Sequence, residues 1–144
     1  FIINNYHEII TNIYIGNAWS SFLNYDKFDI IVNVTKDVGF PENFNKVKIR
    51  IPIDDNYIFK NQDIVKYLYI LDDLEKYYNS KKKILIHCRF GVQRSAFLTQ
   101  LLIKKILKYD DNKIINLIKK KRKICFLPYH NFKHIDISSF IHTD

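Results

Sequence analysis

The chain of 144 residues contains no methionine, three glycines, three prolines and two cysteines. So few glycines and prolines argue against long structureless linkers, and two cysteines are too few for a disulfide framework. No run of about 18 apolar residues is present, which argues against a transmembrane segment, and there is no secretory leader pattern. The lack of an initiating methionine predicts that this sequence is a fragment of a possibly longer chain.

The remaining composition is typical of one folded domain, predicted over residues 1–144. Hydrophobic residues make up 47% of the chain, which is enough for a packed core. The net charge of +8 predicts either a solvated basic surface or attraction to acidic partners such as phosphorylated peptides, anionic lipids or nucleic acid. The five histidines show no metal-ligand spacing, so neither a metal nor a cofactor is predicted.

The chemistry is concentrated in a short segment between two apolar runs. Lys83–Ile86 has the composition of a buried strand, and Ala96–Ile103 has the length of a helix. Between them, five residues separate Cys88 from Arg94. The amides of such a loop and the positive end of the following helix form an anion site that favours the thiolate of Cys88. The planar guanidinium of Arg94 can bind two phosphate oxygens at once.

This segment resembles the signature loop of the cysteine-dependent protein phosphatases, most closely that of the dual-specificity branch. The fixed positions of that loop are matched by His87, Cys88, Gly91, Arg94 and Ser95. The alternative is a buried structural cysteine near an unrelated surface arginine, which the match in register disfavours. The resemblance implies a thiolate nucleophile at a reduced, intracellular location, cytoplasmic or nuclear.

The resemblance also assigns roles to individual residues. Cys88 attacks phosphorus, and the loop residues bind the phosphate oxygens, with Arg94 stabilising the transition state. Ser95 stabilises the departing thiolate, while His87 fixes the loop. The phosphate-binding residues are Arg89, Phe90, Gly91, Val92, Gln93 and Arg94.

The family places its proton donor on a loop that follows a strand and a proline. The register of Pro52 and the residues after it assigns this general acid to Asp55, with Asp54 as the competing position. The alternative is that both are ordinary turn carboxylates. Asn33 lies in a predicted strand that is similar to one beside the signature strand in the family, and it either hydrogen-bonds the loop backbone or caps the end of its own strand.

Three further positions predict how the entrance of the site is built. Gln93 replaces the small residue that the family often has, and we expect it to narrow the pocket or to place the attacking water. Arg89 and Phe90 are expected at the pocket mouth, where Arg89 suggests a second anionic group on the substrate. Trp19 is expected in the core or packed beside a helix, with substrate stacking as the alternative.

The remaining chain predicts an α/β fold. Two short strands that meet at a turn near 11–12 are predicted over 9–16, and further strands over 28–35, 47–51 and 83–86. Helices are predicted over 17–23, 95–107 and about 111–118, and an amphipathic helix over 64–79 is capped by Asn61 or Asn56. The resemblance implies a single three-layer domain with a central, mostly parallel sheet of about five strands flanked by helices. A last helix is expected to be packed by Phe132, Ile135 and Phe140.

Two features near the end of the chain keep more than one interpretation. The run Lys119–Lys123 is either a solvated helix end or a patch for nucleic acid, anionic lipid or nuclear import. Cys125 is either a plain buried cysteine or a disulfide partner of Cys88.

Four functions fit these residues. The first is a protein phosphatase acting on phosphotyrosine and on phosphoserine or phosphothreonine. The second applies the same chemistry to RNA 5′ ends or phosphoinositides, and the third is a non-catalytic phosphate-binding module. The fourth is a rhodanese-like sulfurtransferase, whose cysteine loop is usually one residue shorter.

Overall fold

The computed structural model describes residues 5–53 and 59–141, which form one sheet and its flanking helices. The strands are β1 (Tyr6–Ile10), β2 (Ile13–Gly16), β3 (Ile30–Asn33), β4 (Val47–Arg50) and β5 (Ile84–His87). Their order across the sheet is β1-β2-β5-β3-β4. Only β1 and β2 pair antiparallel, and the other neighbours are parallel. The predicted mostly parallel α/β sheet is confirmed.

The helices of the described residues are α1 (Ala18–Asn24), α2 (Asn61–Val65), α3 (Leu68–Asn79), α4 (Arg94–Leu107) and α5 (Asp111–Lys121). Every residue of α4 from 95 to 104 is buried, as predicted for a central helix. Both α3 and α5 pack against it, which gives the sheet its main covering layer. None of these helices is both long and apolar enough to cross a membrane.

The sheet is the middle layer because both of its faces are apolar. On β5, Ile84 and Ile86 join the large cluster that includes the buried residues of α3, α4 and α5. Leu85, between them, joins a smaller cluster with Phe28 and Ile31 on the opposite face. A strand buried on both faces reads as a continuous hydrophobic run, which is why this segment could be identified as a strand from sequence.

The carboxyl ends of the central strands meet at one edge of the sheet. The register places His87, the last residue of β5, beside Gly16 of β2 and Asn33 of β3. The chain that leaves β5 therefore emerges between two parallel neighbours. This is the position where open α/β sheets bind their ligands.

The amphipathic stretch predicted as one helix over 64–79 forms two helices. The amide of Tyr67 donates to Ile64 O at 2.9 Å, and the amide of Ile70 donates to Tyr67 O at 3.0 Å. These bonds span three residues rather than four, so they interrupt the α-helical ladder between α2 and α3. The apolar face continues across the break, because Ile64, Leu71 and Leu74 are all buried.

The helix expected near the C-terminus is not formed within the described residues. After Phe132 the chain makes turns and ends in a 3₁₀ turn over Ile137–Ser139. Asp136 accepts hydrogen bonds from the hydroxyls of Ser138 and Ser139, and such local side-chain bonds compete with a helix. Phe132 and Ile135 are nevertheless buried, so the predicted packing holds without the helix.

Candidate active site

The loop over residues 88–93 joins β5 to α4, and its two flanks are held by backbone hydrogen bonds from other elements. The amide of Ala18, the first residue of α1, donates to Arg89 O at 3.0 Å. The amide of Phe126 donates to Val92 O at 2.8 Å. Both carbonyls are therefore turned outward, toward neighbouring parts of the fold.

Two side chains bind the carbonyls at the centre of the loop: Arg122, and Cys125, whose Sγ donates to Gly91 O at 3.7 Å. Arg122 donates from Nη2 to Phe90 O at 3.1 Å and from Nε to Gly91 O at 2.8 Å. In a trans peptide the N–H points opposite to the C=O that shares its plane. Because four successive carbonyls, those of residues 89–92, are bonded on the outside, the amides of residues 90–93 face the other way. Converging amides of this kind form an anion-binding concavity.

Gly91 is required by the shape of this loop. Its φ is +69°, in the left-handed region that side chains disfavour. A Cβ built on it would lie 2.6 Å from Gly16 O and 2.7 Å from Arg122 Nη2. Both the backbone conformation and the close approach of neighbours therefore exclude any larger residue here.

Replacing Gly91 with alanine is expected to lower kcat/KM by about 100-fold, because displacing the loop by a fraction of an ångström moves the amides from their positions. The matched control is Gly39→Ala, since no atom lies within 4 Å of a Cβ at Gly39. Hydrolysis of an aryl phosphate by both variants, with thermal melts, checks the prediction. Equal activity of the two variants would contradict it.

Cys88 and Ser95 are brought together at the floor of the loop. Cys88 is 3% exposed, and its Sγ lies 3.2 Å from Ser95 Oγ. Ser95 is fully buried in the first turn of α4. A hydroxyl at this distance can donate a hydrogen bond to a thiolate, and the helix N-terminus adds positive potential.

Arg94 begins α4 and is half-buried. Cys88 opens the loop and Arg94 follows its last residue, at the start of α4. Its charge acts on the loop, because it helps to lower the pKa of His87. A guanidinium at this point can pair with two oxygens of a phosphoryl group.

His87 is a neutral structural histidine. Its side chain is fully buried, and Nδ1 lies 3.2 Å from Cys88 O. Burial, together with the charges of Arg50 and Arg94, lowers the pKa of His87 to about 4. The imidazole is therefore uncharged at neutral pH and holds the loop entrance by donating from Nδ1.

The buried histidines predict a loss of stability in acid. Since the pKa of His87 is about 4 in the folded protein, against about 6.5 when unfolded, the unfolded chain binds more protons between these values. Unfolding free energy should fall as pH decreases through this window, by roughly 3 kcal/mol for His87. His130, whose pKa burial also lowers to about 4, adds in the same direction. Imidazole NMR and urea unfolding check this, and a His87 signal that titrates near pH 6.5 would contradict it.

The side chain of Gln93 is bound by backbone groups of residues 127–131, and its expected role in narrowing the pocket or placing the attacking water stays a prediction. Its Nε2 donates to Tyr129 O at 2.7 Å and to Leu127 O at 3.2 Å. Its Oε1 accepts from the amide of Asn131 at 3.0 Å. The side-chain amide thus forms hydrogen bonds with the backbone of residues 127–131, which a small side chain at position 93 could not reach. Gln93 contributes its own backbone N–H to the loop.

Arg89 and Phe90 belong to the loop and are exposed, and their place at a pocket mouth stays a prediction. Phe90 is 70% exposed. Arg89 pairs with Asp37 at 3.1 Å, and both side chains are largely open to solvent. An exposed pair of this kind is worth about 0–1 kcal/mol, so an anionic substrate group can compete for Arg89.

Trp19 is 63% exposed, and the prediction of a core position for it was wrong.

Asn33 caps its own strand. Its Nδ2 donates to Val38 O at 2.7 Å, and its Oδ1 accepts from the Thr35 hydroxyl at 2.6 Å. Of the two roles open to it, the structure favours strand-end capping over support of the phosphate loop. The strand is joined to the loop entrance by its backbone, through the amide of Val34 and the carbonyl of His87 at 2.8 Å.

The two candidates for the general acid, Asp54 and Asp55, lie outside the described residues. In the part of the chain that is described, no three His, Cys, Asp or Glu side chains come together as a metal site.

Cys125 is buried and, like Cys88, carries a free thiol. Burial raises the pKa of Cys125 to about 12, so it stays protonated.

Sequence reasoning missed Arg122, which was included in the solvated basic run. It is 1% exposed, whereas its neighbours Lys121 and Lys123 are exposed. Ile114 and Ile118, the buried residues of α5, lie eight and four residues before it. Continuing that spacing places position 122 on the buried face, and this signal could have identified it.

Comparisons with known proteins agree with this geometry. The family model described as dual specificity phosphatase, catalytic domain, matches residues 13–136. The chain is 31% identical over 126 residues to a candidate tyrosine phosphatase, 123R, of Invertebrate iridescent virus 6, covering 83% of this chain and 81% of that one. It is 27% identical over 135 residues to Protein phosphatase Slingshot of Drosophila melanogaster, covering 87% of this chain but 12% of that protein. With vhp-1, a tyrosine-protein phosphatase of Caenorhabditis elegans, it shares 30% identity over 120 residues, covering 79% and 18%.

Solved structures show the same fold at low sequence identity. Human DUSP28 has a TM-score of 0.77 and 16% identity, covering 86% of this chain and 85% of that one. The human tyrosine phosphatase-like serine/threonine/tyrosine-interacting protein has a TM-score of 0.75 and 16% identity, covering 91% and 92%. The family match over most of the chain and the relative at 31% identity show that the chain belongs to the dual specificity phosphatase catalytic domains, which are protein phosphatases.

Proposed function

We propose that this domain, residues 1–144, removes phosphate from phosphotyrosine and from phosphoserine or phosphothreonine of proteins, through a cysteinyl-phosphate on Cys88. The observation that supports it best is the outward bonding of four successive carbonyls, those of residues 89–92, which turns the amides of residues 90–93 the other way. The loop begins at Cys88, whose Sγ lies 3.2 Å from Ser95 Oγ. The site binds an oxyanion and carries a nucleophile at its floor. A reducing, intracellular location suits a thiolate nucleophile.

In the first proposed step, the thiolate of Cys88 attacks phosphorus in line with the leaving oxygen. The S–P bond forms while the P–O bond to the substrate breaks. Arg94 and the loop amides bind the three equatorial oxygens, whose charge they stabilise in the transition state. Asp55 gives its proton to the departing alkoxide or phenoxide.

In the second step, water attacks the phosphorus of the cysteinyl-phosphate. Asp55, now a carboxylate, accepts the proton of the water, and the P–S bond breaks to release inorganic phosphate. The hydroxyl of Ser95 donates to the departing thiolate of Cys88, for which the 3.2 Å separation is suited. His87 has a positioning role in both steps, because its side chain is fully buried and its Nδ1 is bound to Cys88 O at 3.2 Å.

The test is phosphate release from a panel of substrates of equal concentration. The panel contains a phosphotyrosine peptide, a phosphoserine or phosphothreonine peptide, an RNA 5′-triphosphate and a phosphoinositide, with Cys88→Ser as the blank. We expect turnover of both peptide classes. RNA and lipid are in the panel because the net charge of +8 favours anionic substrates of these kinds. Faster turnover of either one would change the proposed substrate class from proteins to RNA or lipid, while the cysteinyl-phosphate mechanism would stand.

A non-catalytic phosphate-binding module is the other outcome that the panel separates. One solved structure of the same fold is named phosphatase-like, so the fold alone does not distinguish catalysis from binding. Binding of phosphopeptide without release of phosphate from any substrate would assign this chain to that class.

A further inference from the structure

The buried arginine behind the loop, Arg122, has a place in the reaction. It follows the last residue of α5 and is 1% exposed, although the basic residues on either side of it are open to solvent. Placing a guanidinium in the interior is costly unless its donors are satisfied. What it binds therefore indicates why it is there.

Its donors divide between two sides. Nε and Nη2 bind the carbonyls of Gly91 and Phe90, two successive peptide groups of the loop, at 2.8 and 3.1 Å. Nη1 donates to Asn5 Oδ1 and to His7 Nδ1, the latter at 2.9 Å. The planar fork of an arginine can serve both carbonyls in one fixed geometry, and a lysine cannot.

These hydrogen-bond partners are uncharged. They are two carbonyls, a side-chain amide and the imidazole of His7, whose Nδ1 accepts from Arg122. Burial and the charge of Arg122 both lower the pKa of His7. The positive charge is thus not neutralised by a carboxylate among these partners. The guanidinium adds positive potential behind the anion site.

We propose that Arg122 is a positioning residue for phosphoryl transfer, which rests on the function proposed above. It holds the carbonyls of Phe90 and Gly91 away from the site, so that the amides of Gly91 and Val92 point at the phosphoryl oxygens. Without it, the two peptide groups can rotate and present carbonyl oxygens to an anion. The second arginine of this site therefore acts through the backbone, whereas Arg94 is placed to bind the substrate directly.

The experiment compares Arg122→Met, Arg122→Lys and the matched control Lys121→Met, which removes an exposed charge from the adjacent position. The readouts are kcat and KM for an aryl phosphate, the inhibition constant of inorganic phosphate, and the thermal melt. For Arg122→Met we expect kcat/KM to fall about 100-fold and the inhibition constant to rise at least about 10-fold. Arg122→Lys should recover part of the loss, and Lys121→Met should stay within about twofold of the wild type.

A merely structural role predicts a different result. It would lower the melting temperature while leaving phosphate affinity and kcat unchanged below the melt, and that outcome would overturn the proposal. If Arg122→Met does not fold, Arg122→Lys decides by the same criterion, because it keeps the charge and loses the fork. Absence of turnover by the wild type itself would contradict the proposed function, whereas wild-type turnover with unaffected variants would contradict only the role of Arg122.

Discussion

Replacing Cys88 with serine is expected to abolish turnover while leaving the anion site intact. The hydroxyl is a far weaker nucleophile than a thiolate at neutral pH, so kcat should fall on the order of 10⁴-fold or more. Serine can occupy the position of Cys88 beside Ser95. The hydrogen bonds to the loop carbonyls do not involve the side chain of Cys88, so the loop amides should keep their orientation. Phosphopeptide binding, measured by calorimetry or fluorescence anisotropy, should therefore stay within about threefold of the wild type.

The matched control for this prediction is the other cysteine of the chain. Cys125 is fully buried, and its pKa of about 12 keeps it protonated, so Cys125→Ser should retain most of the activity. Rapid acid quench during turnover should trap a phosphate label on Cys88 alone. Label at another residue, or full activity of Cys88→Ser, would remove the proposed nucleophile.

The signature loop could be predicted because its information is local. A buried strand, Cys88, a glycine and Arg94 at fixed spacing define the loop within about ten consecutive residues. The left-handed conformation of Gly91 then follows from one position in that pattern. Strand β5 could also be predicted, because a strand that is buried on both faces has apolar residues at consecutive positions.

The parts that sequence did not reveal depend on contacts between distant segments. Gln93 is matched by the backbone of residues 127–131, more than thirty positions away, so its sequence neighbours carry no sign of that partner. Arg122 stands among lysines that are solvated, and only the spacing from Ile114 and Ile118 separates it from them. Up to residue 141, the last one described, the predicted C-terminal helix is replaced by turns. There Asp136 accepts hydrogen bonds from the hydroxyls of Ser138 and Ser139, and such local bonds compete with helix formation.

Replacing Asp55 with asparagine is expected to slow turnover according to the leaving group. An alkyl or phenyl oxygen needs a proton as the P–O bond breaks, so kcat for such esters should fall about 10²–10⁴-fold. A nitrophenolate leaves without that proton, so kcat for nitrophenyl phosphate should fall much less. A plot of log kcat against leaving-group pKa should therefore be steeper for Asp55→Asn than for the wild type.

Asp54→Asn is the control that fixes the register of this loop. It makes the same chemical change one residue earlier, and we expect wild-type dependence on the leaving group from it. If Asp54→Asn gave the steep plot instead, the acid would be Asp54 and the mechanism would otherwise stand. If neither variant did, both carboxylates would be ordinary turn residues, and the leaving oxygen would have to be protonated by another group. The loop amides and Arg94 can stabilise charge on the phosphoryl oxygens, but they do not protonate a departing alkoxide. The reaction of alkyl esters therefore requires a separate proton donor.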